Sequence, residues 1–213
     1  ALGMVYVYGV EFMELPRESG GGGAIDRLCE HGNGILSRYP LGNVEAIRHG
    51  SNRSWYIPPE EFDGDGEPRL GGRMAVVADA LVGDRIIHLY VLHFESDPAD
   101  DEYRDAQAAE LAEHGLTRPF TVVQGGDTNA PFYFLDIMDG TELDTTTGAY
   151  FERGYLDTHQ DLSLEERGTR YGLPIDLLFT LEENFTNSGV CPREDPCDEL
   201  SDHRPAWTSI RLD

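Results

Sequence analysis

The stretch RMAVVADALVGDRIIHLYVLHFES, residues 73–96, constrains the fold most. Two apolar, β-branched runs flank a single Gly83-Asp84 pair. A two-residue Gly-containing break between such runs is a hairpin signal. Further strands are predicted at VYVYGVEFMEL (5–15), LPIDLLFTL (173–181) and RPAWTSIRL (204–212), and PFTVVQGGDTNAP (119–131) reads as a strand ending in a turn. GILSRYPLGNVEAI (34–47) reads as strand, turn, strand, with the break at Pro40. Residues 97–115 predict a helix, with Asp97 as N-cap, Pro98 in the first turn, Gly115 as the stop, and Tyr103, Ala106 and Leu111 on an apolar stripe. ESGGGGAIDRLCEHGNG (18–34) reads as a flexible Gly-rich loop. PPEEFDGDGEP (58–68) alternates acids somewhat like a calcium loop, but Pro68 stands where such a loop needs glycine, so it reads as solvated acid. Strands dominate and helices intervene, which predicts an α/β sandwich. No repeat or clear linker divides the 213 residues, so one domain over 1–213 is expected.

The charge restricts the chemistry. Forty acids against 16 bases give a net charge of −24. All the bases are Arg, and Lys is absent. Phosphate-loop NTPases and Schiff-base enzymes each need a lysine, so both are excluded. A field this negative repels polyanions unless salt screens it to a Debye length of about 3–10 Å. The acidity predicts adaptation to high salt; solubility and activity confined to low ionic strength would count against that. No apolar run reaches the roughly 20 residues of a membrane-spanning helix, so no span is expected. ALGMVYVYGV lacks the basic region and cleavage site of a signal peptide and reads as the start of a strand. A soluble monomer is expected, with the compartment open between a secreted and a high-salt setting.

Cys29, Cys191 and Cys197 are the three cysteines. Cys191 and Cys197 bracket PREDP, a loop that a disulfide can close; two free thiols are the other reading. No second pair stands at ligand spacing, so a zinc site is not expected.

Four strand ends carry groups suited to metal or proton chemistry: His93; Asp127 with Asn129; Asp176; and Asp202 with His203. Each has an ordinary structural reading alone. His93 can be a hydrogen-bonded core histidine, Asp127 and Asn129 turn residues, and Asp202-His203 a turn cap. Asp176 lies within an apolar run, where an unpaired carboxylate is costly. Together they offer what phosphate-ester hydrolysis requires: a base for the attacking water, a carboxylate to orient that base, and groups to neutralise the phosphoryl oxygens. Asp202 would take a hard cation, and His203 with Asp176 would be base and orienter. Asp127, Asn129 and His93 would surround the phosphoryl group. No function is expected of His31, His49, His88, His114 and His159.

The ordered set GNGILSRYP, LHFES, GGDTNAP, LPIDLLF and LSDHRPAW resembles the endonuclease/exonuclease/phosphatase superfamily, the deoxyribonuclease-I-like metal-dependent phosphoesterases. The similarity runs over nearly the whole chain. It implies a four-layer α/β/β/α sandwich (α/β or α+β in class) with the site at one end of two sheets, and Mg²⁺ or Mn²⁺ as cofactor. It implies Asp202 as metal ligand and His203 as general base paired with Asp176. Asp127 and Asn129 would position water and phosphoryl oxygens. His93 would stabilise the transition state or protonate the leaving group. Asn33, Arg38 and Glu95 fall in family-like stretches without an assigned role. Family members begin with an earlier strand, a helix and a strand carrying a Glu metal ligand. None of these precedes ALGMVYVYGV, and Glu11 and Glu14 do not match that motif, so an N-terminally incomplete domain lacking its first strands is expected.

The expected partner is a phosphate-ester substrate: a small phosphorylated molecule, a lipid head group or a nucleic acid. The absence of a basic run argues against tight duplex binding at low salt. The alternative is a non-catalytic or metal-deficient domain of the same fold acting as a binding module. Trp55 and Tyr56, beside Arg53, are expected to pack on the scaffold rather than line a groove.

Overall fold

The computed structural model describes residues 3–16, 28–58, 68–96, 101–130, 144–170, 172–192 and 201–212. In chain order its strands are β1 (Val5–Glu14), β2 (Cys29–Ser37), β3 (Leu41–Arg48), β4 (Tyr56–Ile57), β5 (Arg69–Gly71), β6 (Met74–Val82), β7 (Arg85–His93), β8 (Thr121–Asp127), β9 (Leu156–Asp157), β10 (Asp176–Thr180), β11 (Phe185–Val190) and β12 (Ala206–Ile210). The helices are α1 (Asp101–Leu116), α2 (Thr145–Phe151) and α3 (Leu164–Arg167). The strands form a six-stranded sheet, β3-β6-β7-β8-β10-β9, a four-stranded sheet, β2-β1-β5-β4, and the ribbon β11-β12.

The hairpin signalled by Gly83-Asp84 forms, with β6 and β7 antiparallel up to Val82 against Arg85. Gly83 takes φ 65°, a left-handed backbone that glycine adopts readily because it carries no Cβ. From β7 the chain crosses through α1 and returns as β8, parallel to β7. Parallel neighbours require such a crossover. It carries the C-terminal ends of β7 and β8 to the same edge, with His93 beside Asp127. Strand β10 runs antiparallel to β8, so its first residue, Asp176, pairs with Asp127.

The middle sheet is covered on both faces. Toward the helices, Tyr90, Leu92, Val122, Leu177 and Phe179 pack on Ala108, Leu111, Ala112 and Tyr150. Tyr150 stacks on Phe179 at 4.1 Å. Gln124, a fully buried polar side chain in this layer, is satisfied: it accepts from Tyr150 Oη at 3.0 Å and donates to Leu111 O at 3.0 Å. Toward the second sheet, Met74, Val76 and Ala78 meet Ile35 and Val7. Helices, six-stranded sheet and four-stranded sheet make three of the expected layers. The outer face of the four-stranded sheet carries exposed Tyr6, Tyr8, Leu36 and Leu70, uncovered by a helix among the described residues. No described helix is long and apolar enough to cross a membrane.

The strand, turn, strand reading of 34–47 holds, with β2 ending at Ser37 and β3 beginning just after Pro40, although the two strands lie in different sheets. Some other expectations need correction. Strand β2 starts at Cys29, inside the stretch read as a Gly-rich loop. Gly32 and Gly34 pair with Val10 and Tyr8, and a Cβ on Gly32 would lie 2.1 Å from Gly9 O. These glycines permit close strand approach rather than flexibility. Gly115 does not stop α1, which runs through it to Leu116. A Cβ there would meet Tyr155 Oη at 2.1 Å and Gln124 Nε2 at 2.4 Å, so the glycine admits the buried polar cluster. Trp55 and Tyr56 are more than half exposed instead of packed, with Arg48 over the Trp55 ring at 5.9 Å. Cys191 is disulfide-bonded and Cys29 is free. Cys197, the calcium-like acids at 63–67, Asp97 and Pro98 lie outside the described residues.

Candidate active site

Strand register sets a row of three side chains along one sheet edge: His93 ends β7, Asp127 ends β8 and Asp176 begins β10. Two consecutive glycines make the approach to Asp127 possible. Gly126 takes φ 147°, and a Cβ on it would lie 2.0 Å from Leu92 O. After Asp127 the chain turns sharply. Asp127 Oδ1 accepts from Asn129 N at 2.8 Å, and Asn129 takes φ 49°, a left-handed conformation that Asn tolerates. Asn129 Nδ2 donates to Phe94 O at 3.0 Å, which ties the turn to the end of β7.

The segment before β12 brings His203 onto this row. Arg204 N donates to Thr169 O and Cys191 N to Pro205 O, both at 2.8 Å. His203 Nδ1 lies 2.8 Å from Asp176 Oδ2, and its Nε2 lies 3.8 Å from Asp127 Oδ2. Asp127, Asp176 and His203 offer ligand atoms within 4.8 Å of one another. His93 reaches the same carboxylate from the other side, with Nε2 also 3.8 Å from Asp127 Oδ2. The structure therefore gathers His93, Asp127, Asn129, Asp176 and His203 at one place. Asp202 stands apart. Its carboxylate is two-thirds exposed and pairs with Arg170 Nη2 at 2.8 Å.

The electrostatics follow from these neighbours. Burial, and then the facing Asp176, raise Asp127 to a pKa of about 6. The hydrogen bond that His203 donates to Asp176 raises His203 above the usual histidine value, against a lesser opposing effect of burial. His93 behaves oppositely: burial, and then the Arg73 cation, push it well below that value.

Behind His93 lies a buried ionic network that sequence reasoning missed. A β-bulge between Val10 and Phe12 turns both Glu11 and Phe12 inward. Glu11 Oε1 accepts from Asn33 Nδ2 at 2.9 Å, and its Oε2 lies 3.0 Å from His31 Nδ1 and 3.2 Å from Arg73 Nη1. Arg69 donates to Glu95 Oε1 at 2.6 Å. Burial alone would raise Glu95, but the bonds and charges of Arg69 and Arg73 leave it lowered. Glu11, His31 and His93 also bring ligand atoms within 4.8 Å. A metal does not suit that group, because the Arg73 guanidinium already touches both Glu11 and His93 and supplies the positive charge. Glu11 and Arg73 are 62 residues apart, and no motif joins them.

Among the described residues, Asp127, Asp176 and His203 form a group that suits a hard divalent cation, and Asp202, paired with Arg170, stands outside it. Two of its three members offer carboxylate oxygens, and Asp127 is raised by burial first and by the facing Asp176 second.

No protein-family model matches the sequence, and no curated protein matches it. Solved structures do. An endonuclease/exonuclease/phosphatase family protein from Leptotrichia buccalis superposes with a TM-score of 0.68 at 12% identity, covering 98% of this chain and 71% of that one. An endonuclease/exonuclease/phosphatase from Beutenbergia cavernae gives 0.67 at 18% identity, covering 97% of this chain and 53% of that one. D. rerio TDP2, complexed with a single-strand DNA product, gives 0.65 at 13% identity, covering 97% and 77%. The chain thus shares the fold of these solved structures.

Proposed function

We propose that this chain hydrolyses a phosphate ester, with His203 as the general base. The observation that carries the reading is the 2.8 Å contact from His203 Nδ1 to Asp176 Oδ2, with Nε2 turned to the strand-end row. A carboxylate at Nδ1 holds the proton there and leaves Nε2 bare. Nε2 takes a proton from water as the water oxygen attacks phosphorus and the P–O bond to the leaving group breaks; Asp176 stabilises the resulting imidazolium. Asn129, held by Phe94 O, keeps the turn in place beside the attacked group. A divalent cation such as Mg²⁺ or Mn²⁺, held by Asp127 and Asp176 and by Asp202 once it leaves Arg170, would supply charge neutralisation at the phosphoryl oxygens. The net charge of −24 favours a small phosphorylated molecule, a lipid head group or a short oligonucleotide over duplex nucleic acid at low salt.

The test is hydrolysis of phosphomonoester and phosphodiester substrates with Mg²⁺ or Mn²⁺, at low and high salt. His203→Ala should keep the circular dichroism of the parent and lose about 10²–10⁴-fold in rate. A fully active variant overturns the assignment.

The second reading is a binding module of the same fold that holds no metal, and the Asp202–Arg170 pair favours it. Calorimetry separates the two. Millimolar or tighter Mg²⁺ or Mn²⁺ binding that disappears in Asp202→Ala supports the enzyme, and no binding supports the module.

A further inference from the structure

We infer that Arg73 is a positioning residue that fixes His93 as a neutral imidazole with its proton on Nε2, so that His93 serves the site as a hydrogen-bond donor and not as a proton-transferring acid. The inference starts from bonding capacity. Arg73 is fully buried between β5 and β6. Its Nη1 carries two protons: one points to Glu11 Oε2 at 3.2 Å and the other to His93 Nδ1 at 3.0 Å. Nη2 donates to Ser96 Oγ at 3.3 Å. A guanidinium has no acceptor and does not deprotonate in proteins. The ring nitrogen it faces must therefore be the bare one, and the single proton of the neutral ring must be on Nε2. Protonating Nδ1 would set two N–H groups head to head at 3.0 Å.

The remaining neighbours fit that assignment. Nε2 faces Asp127 Oδ2 at 3.8 Å, the carboxylate oxygen that His203 also faces. His31 lies 5.2 Å away ring to ring and spends its own Nδ1 on Glu11. Arg69 adds a second positive charge and is engaged with Glu95. Among the described residues only Glu11 Oε2, 3.8 Å from His93 Nδ1, would draw a proton to that nitrogen, and Arg73 is the closer partner of both.

This inference deepens the phosphoesterase reading. There His93 would donate Nε2–H to a non-bridging phosphoryl oxygen as charge develops on it and keep that proton, while the leaving oxygen would take its proton from solvent water. Removing one such donor costs on the order of 10²–10³-fold in rate.

The test is the ¹⁵N chemical-shift pattern of the His93 ring in the intact chain, which distinguishes a bare from a protonated nitrogen and needs no activity. The expected pattern is Nδ1 bare and Nε2 protonated. A protonated Nδ1 overturns the inference even if Arg73 variants fail to fold. In Arg73→Met, Glu11 becomes the nearest partner of Nδ1, and the proton should move to Nδ1. Arg73→Lys retains a donor without an acceptor and should restore the parent pattern. In kinetics Arg73→Met should lower kcat by about 10²-fold with KM nearly unchanged. An unshifted tautomer or unchanged kcat in folded Arg73→Met counts against the inference. Absent hydrolysis in the parent would sink the phosphoesterase reading and leave the tautomer result standing.

Discussion

His203 and His93 face the same carboxylate oxygen, Asp127 Oδ2, at the same 3.8 Å, from opposite sides. What stands behind each ring differs. His203 rests on Asp176, and His93 on Arg73. A carboxylate at Nδ1 makes a ring that welcomes a second proton; a guanidinium there makes one that refuses it. The pKa directions follow, raised for His203 and lowered for His93. The lesson is that two histidines, indistinguishable by type, take opposite proton affinities from the groups behind them.

Asp176→Asn strikes the His203 side and should have the largest effect. The rate should fall by about 10²–10⁴-fold, because the base loses its orienting carboxylate. The acid limb of the pH–rate profile should move to lower pH as His203 returns toward its ordinary value. A stability effect accompanies it. A raised folded pKa stabilises the fold below the unfolded value of about 6.5 and loses that contribution as pH rises through the folded value. Thermal melts across that window should fall with pH in the parent and flatten in Asp176→Asn.

On the His93 side, Arg69→Met leaves Glu95 in the interior without its nearest partner. Urea unfolding should show a loss of about 3–5 kcal/mol, and the double variant Arg69→Met/Glu95→Leu should lose much less. Equal losses would mean that the network acts by shape and not by charge.

Asp127 lies between the two sides. Its folded pKa of about 6 exceeds the unfolded value of about 3.9, so its contribution to stability is lost as pH rises through about 6. Asp127→Asn should therefore raise stability at pH 7 by up to about 3 kcal/mol, give little change at pH 4, and remove activity. Mg²⁺ should raise the parent's Tm more than the variant's.

The smallest expected effect is at the hinge that aims Asp127. Gly126→Ala must place a Cβ against Leu92 O at φ 147° and should destabilise by about 1–3 kcal/mol. Activity retained in full would show that the row tolerates displacement at β8.

Much of the fold was legible. The Gly83-Asp84 hairpin, the helix after β7 and the strands ending at Asp127 and beginning at Asp176 all announce themselves by local pattern. Other elements did not. Residues 29–34 looked like a loop because their glycines are weak strand formers, and only pairing with β1 makes them a strand. Strand β11 escaped notice because FTNSGV is polar and is held by β12. In the site, the five gathered residues were visible as polar groups at strand ends. Glu11, Arg73 and His31 were not, because their meeting depends on a bulge and on two sheets packing face to face.

By itself, the sequence determined which chemistry was on hand: no lysine, 16 arginines, and carboxylates and imidazoles at the ends of apolar strands. That much is local, since composition and period 2 patterning need no partner strand to be read. Only the tertiary structure decided how those groups divide their work. It gave His203 a carboxylate, gave His93 a guanidinium, and set Asp202 against Arg170. The reason is physical. Proton position depends on the charge a few ångströms away, and here that charge comes from strands distant in the chain.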